Sequence, residues 1–378
     1  MYVPRYLDIL ACLKQKSLFL FGPRQTGKTS LINETLGGFR VYDLLDSDVY
    51  LTLSREPKRL EQELRKNEKI VIIDEIQKLP FLLDEVHRII EKYKVNFLLT
   101  GSSARKLRRG GVNLLGGRAR SRNLHPLTYA ELDEHFNLLR ALNRGLIPSI
   151  YFSDSPEEDL KAYANSYLRE EVAAEGLTRN IPAFSRFLQV AALCNGLLIN
   201  YTNISNDAQV PASTVREYFQ ILRDTLIGFD VPAWKKSLKR KPISTSKFYF
   251  FDVGVVLCLQ NSRVLAENSP EFGGAFETYI AHELKSFLDY ENLGELCYWR
   301  SKSGYEVDFI IADTTAAEVK AKSNISQRDL RGIKAIKEEK KLKRYVVISM
   351  EQRPRTVDGI QILPWEDFLQ KLWAGEFV

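Results

Sequence analysis

Residues 17–29 read SLFLFGPRQTGKT. An apolar run rich in Leu and Phe ends at Gly22. Gly22, four intervening residues, then Gly27-Lys28-Thr29 follow, and after them the helix-like SLINETL. A strand, a glycine-bounded loop and a helix in this order make a phosphate cradle. The loop of Gly22, Pro23, Arg24, Gln25, Thr26 and Gly27 would hold the phosphates on its backbone N–H groups, which every residue but Pro23 supplies, with the helix N-terminus behind them. Lys28 would reach the β- and γ-phosphates of ATP, and the Thr29 hydroxyl would bind Mg²⁺.

Working outward, residues 69–75 read KIVIIDE. Four consecutive apolar β-branched residues predict a strand buried on both faces in a parallel sheet. Asp74 and Glu75 would emerge at its carboxyl end, where open α/β sheets place their ligands. Asp74 is the candidate Mg²⁺-binding acid, and Glu75 the candidate base that orients the attacking water. A third strand, VNFLLTGSS at 95–103, turns polar as it ends. Thr100, Ser102 or Ser103 would bring a hydroxyl near the γ-phosphate, and Ser102 is taken as the candidate. This set of strands resembles the additional-strand class of ATPases that includes the AAA+ group, in which the last strand carries the sensor 1 residue. GGRARSRNLHPLTYAEL at 116–132 then adds an arginine cluster. Arg118, ahead of Arg120 and Arg122, is the candidate arginine finger, in cis or from a second copy in a homo-oligomer.

Composition bounds the rest. The 378 residues suffice for two or three domains, with 44% apolar and 27% charged content typical of a globular chain. The net charge of +6, from 54 basic and 48 acidic residues, permits a nucleic-acid partner without demanding one. Cys12, Cys194, Cys258 and Cys297 are far apart and form no CxxC pair, which argues against a disulfide framework or zinc site and for a reducing compartment. Charged residues interrupt the first twenty positions, and no run of about 18 to 20 apolar residues occurs anywhere. The expectation is a cytoplasmic protein without a membrane partner.

GPRQTGKT, IIDEIQKLP, LLTGSSARKL and GGRARSRNLHPLTYAEL, with KFYFFDVGVVLCL (247–259) and GGAFETYIAHEL (273–284), resemble a widespread prokaryotic AAA-type ATPase family. Its members join the ATPase to a C-terminal domain of unknown function that is similar to the PD-(D/E)XK nuclease fold. The resemblance implies ATP binding and hydrolysis, and it is weaker between about 133 and 245.

In the middle, residues 126–182 read as a helical lid or a structural spacer, with Ser155-Pro156 as a helix start and Gly176 as a stop. Residues 184–227 carry a helix, a short helix, a turn and a longer helix. Ser213 is a possible N-cap, and Val215, Phe219, Leu222 and Leu226 fall at helical spacing. That is helix-turn-helix order, and VPAWKKSLKRKPISTSKFYFFD after it could form a basic wing. Such a module could contact DNA, or pack against protein, and Glu217 and Asp224 disfavour a phosphate contact.

The last stretch is GYEVDFIIADTTAAEVKAK at 304–322. A hairpin turning near Asp313 would set Asp308 opposite Glu318, with Cβ atoms about 5 Å apart. Two carboxylates at that range repel unless a cation lies between them or one is protonated. Mg²⁺ or Mn²⁺ would relieve the repulsion, Lys320 would help position the attacking water or offset charge on the scissile phosphate, and Glu277 from the preceding helix is a further possible ligand. Asp, a gap, then Glu-x-Lys is the nuclease-fold pattern. The alternative is a charged, non-catalytic hairpin in a binding module.

The reading is therefore an α/β chain in four parts. They are an AAA+-like P-loop core with a parallel sheet at 1–125, a helical lid at 126–182, a winged helix-turn-helix at 183–246 and a PD-(D/E)XK nuclease-like domain at 247–378. Expected cofactors are ATP and Mg²⁺, and DNA is the expected macromolecular partner.

Overall fold

Ser17–Phe21 (β1) and Ile70–Asp74 (β3) are buried at every position. Strands with no polar face must be covered on both sides, and both lie inside a five-stranded parallel sheet. Its order is β2 (Arg40–Asp43), β3, β4 (Asn96–Gly101), β1, β5 (Ala119–Asn123). An extra strand, β4, thus separates the loop-bearing strand from the acidic one. The Leu82–Tyr93 helix buries Leu82, Leu83, Val86 and Ile89 and turns its charged residues outward. Phe19, Ile73, Phe97 and Leu99 share a core with it.

The computed structural model describes residues 2–103, 105, 107, 115–164, 180–237, 239–240, 242–267 and 269–378. The chain divides into two units, Met1–Leu127 with Asp224–Ile227, and Thr128–Arg223 with Gly228–Val378. The lid, helix-turn-helix and C-terminal segments of the sequence reading, apart from 126–127 and 224–227, therefore fall in one unit. Residues 165–179, including the expected stop at Gly176, lie outside the described residues. No described helix is long and apolar enough to cross a membrane.

In the second unit the helices Ile181–Leu193, Tyr201–Ala208 and Ala212–Asp224 follow one another as the periodicity predicts. The last begins one residue before Ser213, so Ser213 lies in its first turn and does not cap it. An aromatic cluster joins these helices to the strand behind them: Phe187 to Phe219 at 5.1 Å and Phe219 to Phe248 at 4.9 Å between ring centroids. β6 (Gly228–Val231) and β7 (Lys247–Phe250) pair antiparallel. The segment between them is not the free basic wing tip that its composition suggests. The Trp234 N–H donates to Tyr298 O at 2.7 Å, the Tyr298 N–H to Pro232 O at 2.9 Å and the Ile243 N–H to Arg300 O at 2.9 Å. Lys236 pairs with Asp313 at 2.7 Å and Arg240 with Glu338 at 2.7 Å. Buried Glu339 accepts the Ser237 hydroxyl at 2.8 Å and the Lys239 N–H at 2.9 Å. Leu238 and Lys241 lie outside the described residues.

Beyond β7 come the Phe272–Glu291 helix, β8 (Leu296–Arg300), β9 (Glu306–Ile311), β10 (Thr315–Lys320), the Arg331–Lys337 helix and β11 (Arg344–Ser349). The order is helix, three strands, helix, strand. β12 (Arg355–Val357) and β13 (Ile360–Pro364) complete a six-stranded mixed sheet in the order β12-β13-β11-β10-β9-β8.

Glu283, fully buried on the long helix, accepts the Tyr129 N–H at 2.8 Å and the Trp373 indole N–H at 2.9 Å. Burial pushes its carboxyl up to about 8 against the pull of those bonds. Its ordinary value is about 4.3, so between the two the folded chain holds a proton that the unfolded chain has released. Stability is therefore expected to fall as pH rises through that interval. Glu283→Gln should flatten the slope, which melting temperatures taken stepwise across the interval would measure. A slope unchanged in the variant would remove Glu283 as its source.

Candidate functional site

The loop after β1 turns on two glycines. At Gly22 a Cβ would stand 2.5 Å from the Leu124 carbonyl oxygen. Gly27 has φ 92°, a left-handed conformation that other residues rarely adopt, and it opens the Lys28–Leu36 helix. Lys28 is buried and folds over the loop, donating to Gly22 O at 2.8 Å and Pro23 O at 3.0 Å. The Thr26 hydroxyl ties down the same turn through Pro23 O at 2.8 Å. Arg24, Gln25 and Thr29 are exposed at the mouth.

Two strand ends and the first turn of a helix bring polar groups to one point. The Thr29 hydroxyl donates to Asp74 Oδ2 at 3.2 Å. Asp74 Oδ1 accepts the Glu75 N–H at 3.1 Å and the Thr100 hydroxyl. Thr100, and not Ser102, is therefore the strand-end hydroxyl that touches the acidic strand. The two residues stand on either side of Gly101, and the strand ends between them. Thr29 and Asp74 could supply the two protein ligands of a Mg²⁺ ion whose other ligands are phosphates and water.

Glu75 has φ 60°, uncommon for a side chain of its size, at the head of the short Ile76–Lys78 turn. Its carboxylate accepts the Gln77 amide. Burial raises its pKa, Lys28 pulls it back, and Asp74 raises it further. A strained residue with a raised carboxyl at a strand end fits a general base. Gln77, which orients it, was not picked out by the sequence reading.

Arg118 does not join this group. In register, Ala119 lies beside Ser17 and Asn123 beside Phe21, which puts Arg118 at the amino end of β5. The loop at Gly22 is some six residues farther along, or about 20 Å at roughly 3.3 Å per residue. Arg118 pairs instead with Glu91. Arg120 donates to Gln15 at 2.8 Å and Arg122 to the Ser121 carbonyl at 3.4 Å. An arginine finger in cis from Arg118 is thereby corrected: the residue lies at the wrong end of the strand.

The C-terminal carboxylates come together largely as the pleat requires. Thr315 pairs with Ile311, Ala316 with Ile310 and Ala317 with Phe309, so the next position sets Glu318 against Asp308. Both are buried, and Lys320 donates to Glu318 Oε1 at 2.6 Å. Asp308 Oδ2 accepts the Val319 N–H at 2.8 Å. Burial, then Asp308, pushes Glu318 up to about 8, and Lys320 opposes them. Burial, then Asp308, pushes Glu277 up to about 7.

Glu277 is already engaged. Its Oε1 accepts the Tyr249 hydroxyl at 2.6 Å and lies 3.7 Å from the Lys247 ammonium. Lys247 lies 2.8 Å from Glu306 and 4.0 Å from Asp308. Burial pulls Lys247 down, but Glu277, Asp308 and Glu306 outweigh it and hold the ammonium above the usual lysine range. Among the described residues, no three His, Cys, Asp or Glu side chains group so as to hold a metal ion. The expected Glu277–Asp308–Glu318 ion site is thus not assembled, because a lysine ammonium stands against two of its three members. Lys247 and Tyr249 went unnoticed in the sequence because they alternate within an otherwise apolar strand, KFYF.

Comparison with known proteins finds three matching segments. Residues 14–133 match the model of an AAA domain. Residues 135–265 and 272–368 match two domains of unknown function, DUF8612 and DUF4143. Uncharacterised proteins of Mycobacterium bovis and Mycobacterium tuberculosis are each 25% identical over 302 residues, covering 78% of this chain and 67% of theirs. Two solved structures align at 16% identity: the Aeropyrum pernix ORC1 protein in complex with DNA, and a signal-transduction ATPase with a tetratricopeptide repeat sensor from Pyrococcus horikoshii. The first has a TM-score of 0.29 and covers 69% of this chain and 94% of that one. The second has a TM-score of 0.21 and covers 76% and 48%. Scores of that size do not establish a shared overall fold. The phosphate loop, the acidic strand and the additional strand between them agree with the likeness of residues 14–133 to an AAA domain.

Proposed function

We propose that this chain binds and hydrolyses ATP with Mg²⁺, and that its nucleotide state controls a C-terminal nuclease-like domain acting on DNA. The observation that carries the ATPase half is the meeting of Thr29, Asp74 and Thr100, with Glu75 beside them and Lys28 over the loop. Gly22 to Gly27 would cradle the phosphates, and Thr29 and Asp74 would hold the ion. Arg118 would serve only in trans, across a homo-oligomer. The division into a core at 1–125, a lid at 126–182, a winged helix at 183–246 and a PD-(D/E)XK-like domain at 247–378 belongs to the same proposal.

The register that opposes Asp308 to Glu318 beside Lys320 supports the nuclease half. Arg328, Arg331, Lys340 and Lys341 are exposed on the same unit and enter no ion pair among the described residues, which suits a phosphate backbone. Purified protein with Mg²⁺ or Mn²⁺ is expected to cut DNA in an ATP-dependent way, and Glu318→Ala and Lys320→Ala to abolish cutting. Cleavage no greater than in those variants, with and without ATP, would sink the nuclease reading.

A second reading is favoured by Lys247. A carboxylate centre already neutralised by ammonium groups suits a non-catalytic DNA- or protein-binding domain run by the ATPase. A salt-dependent DNA mobility shift without cleavage would support it.

A further inference from the structure

Four carboxylates, Glu277, Glu306, Asp308 and Glu318, cluster about two ammonium groups, Lys247 and Lys320. The two lysines are placed differently. Lys320 is half-buried, follows Glu318 on the same strand and pairs with it alone. Lys247 is 5% exposed and comes from another sheet. Its backbone is pinned on both sides, by Val231 in β6 and by a bridge to Leu198. Its ammonium points at carboxylates from the long helix and from β9 together.

The carboxylate oxygens of the cluster show what this excludes. Glu277 Oε1 and Asp308 Oδ1 both face Lys247, at 3.7 and 4.0 Å. Asp308 Oδ2 is taken by the Val319 N–H, and Glu318 Oε1 by Lys320. Glu318 Oε2 is buried without a hydrogen-bond partner. A divalent ion on Asp308 and Glu318 would want Asp308 Oδ1, which the ammonium faces. Two cations cannot share that oxygen without strong repulsion in a buried setting.

We propose that Lys247 is a built-in counter-ion at the cation position of this centre, so that the folded C-terminal unit excludes a divalent metal unless the ammonium withdraws. The arrangement explains how four carboxylates, Asp308 and Glu318 among them buried, stay close together. It also explains why no three-ligand group forms. The inference rests on the reading of Asp308 and Glu318 as an ion-binding pair, but not on cleavage, since a domain that never cuts DNA would still show the competition.

The test is Mn²⁺ binding followed by electron paramagnetic resonance on the full chain without nucleotide, counting only ions lost in Asp308→Asn. Wild type is expected to bind no such ion below millimolar concentration. Lys247→Gln, which keeps a polar side chain and removes the charge, should gain one Mn²⁺ with affinity raised at least tenfold. The double variant Lys247→Gln, Asp308→Asn should lose it. Mn²⁺ should also raise the melting temperature of Lys247→Gln more than that of wild type. Micromolar Asp308-dependent binding in wild type would overturn the proposal, as would a Lys247→Gln protein that binds no better. If Lys247→Gln fails to fold with or without Mn²⁺, the wild-type ion count decides alone.

Discussion

Lys28→Ala is expected to remove nucleotide binding while leaving the first unit folded. The ammonium is buried over the loop and makes its two bonds to loop carbonyls, so it stands where phosphate oxygens would arrive. Two charge-assisted contacts to phosphate are worth about 1.5–3 kcal/mol each. Together they come to roughly 3–6 kcal/mol, or about 10²- to 10⁴-fold in affinity. Titration with a fluorescent ATP analogue measures this directly, and a melting curve checks the fold. Affinity within threefold of wild type would mean that the loop does not hold phosphates in the way argued.

Glu75→Gln should separate binding from turnover. The substitution keeps the shape of a side chain held at φ 60° beside Gln77, so ATP affinity is expected to stay near wild type. It removes the carboxylate that would accept a proton from water. Loss of a positioned general base costs about 10²- to 10⁴-fold in rate. Single-turnover hydrolysis of bound ATP is the measurement. Wild-type turnover in the variant would sink the assignment of the base and direct attention to Asp74 or to a residue from a second copy.

How much of this the sequence disclosed depended on local periodicity. The phosphate loop was legible because strand, loop and helix adjoin in the chain, and Gly22 and Gly27 mark its ends. The hairpin was legible because a short turn fixes register, and a period of two then fixes which side chains face each other. Ala312 and Asp313, with φ of 46° and 58°, supply that turn. Lys247 was not legible. It precedes Asp308 by some sixty positions in a strand that pairs elsewhere, and only tertiary packing brings the two within reach. Arg118 was misplaced for a related reason: a cluster of arginines has no direction until the parallel register says which end of β5 it occupies. The basic wing failed because KKSLKRK carries charge without periodicity, and charge alone does not distinguish a phosphate contact from partners in the same unit.

The segment 232–243 has one more effect. β8 is the outermost strand of its sheet, and an outermost strand offers a row of unmet backbone groups to any other chain that can pair with it. Here Pro232, Trp234 and Ile243 take up such groups on Tyr298 and Arg300. The stretch thus works as a guard against self-association. Cutting it out to ask whether its lysines bind DNA would confuse two outcomes, because the shortened protein would lose positive charge and become sticky at once. Charge reversals at single exposed positions such as Lys235 keep the seam closed and put the question cleanly.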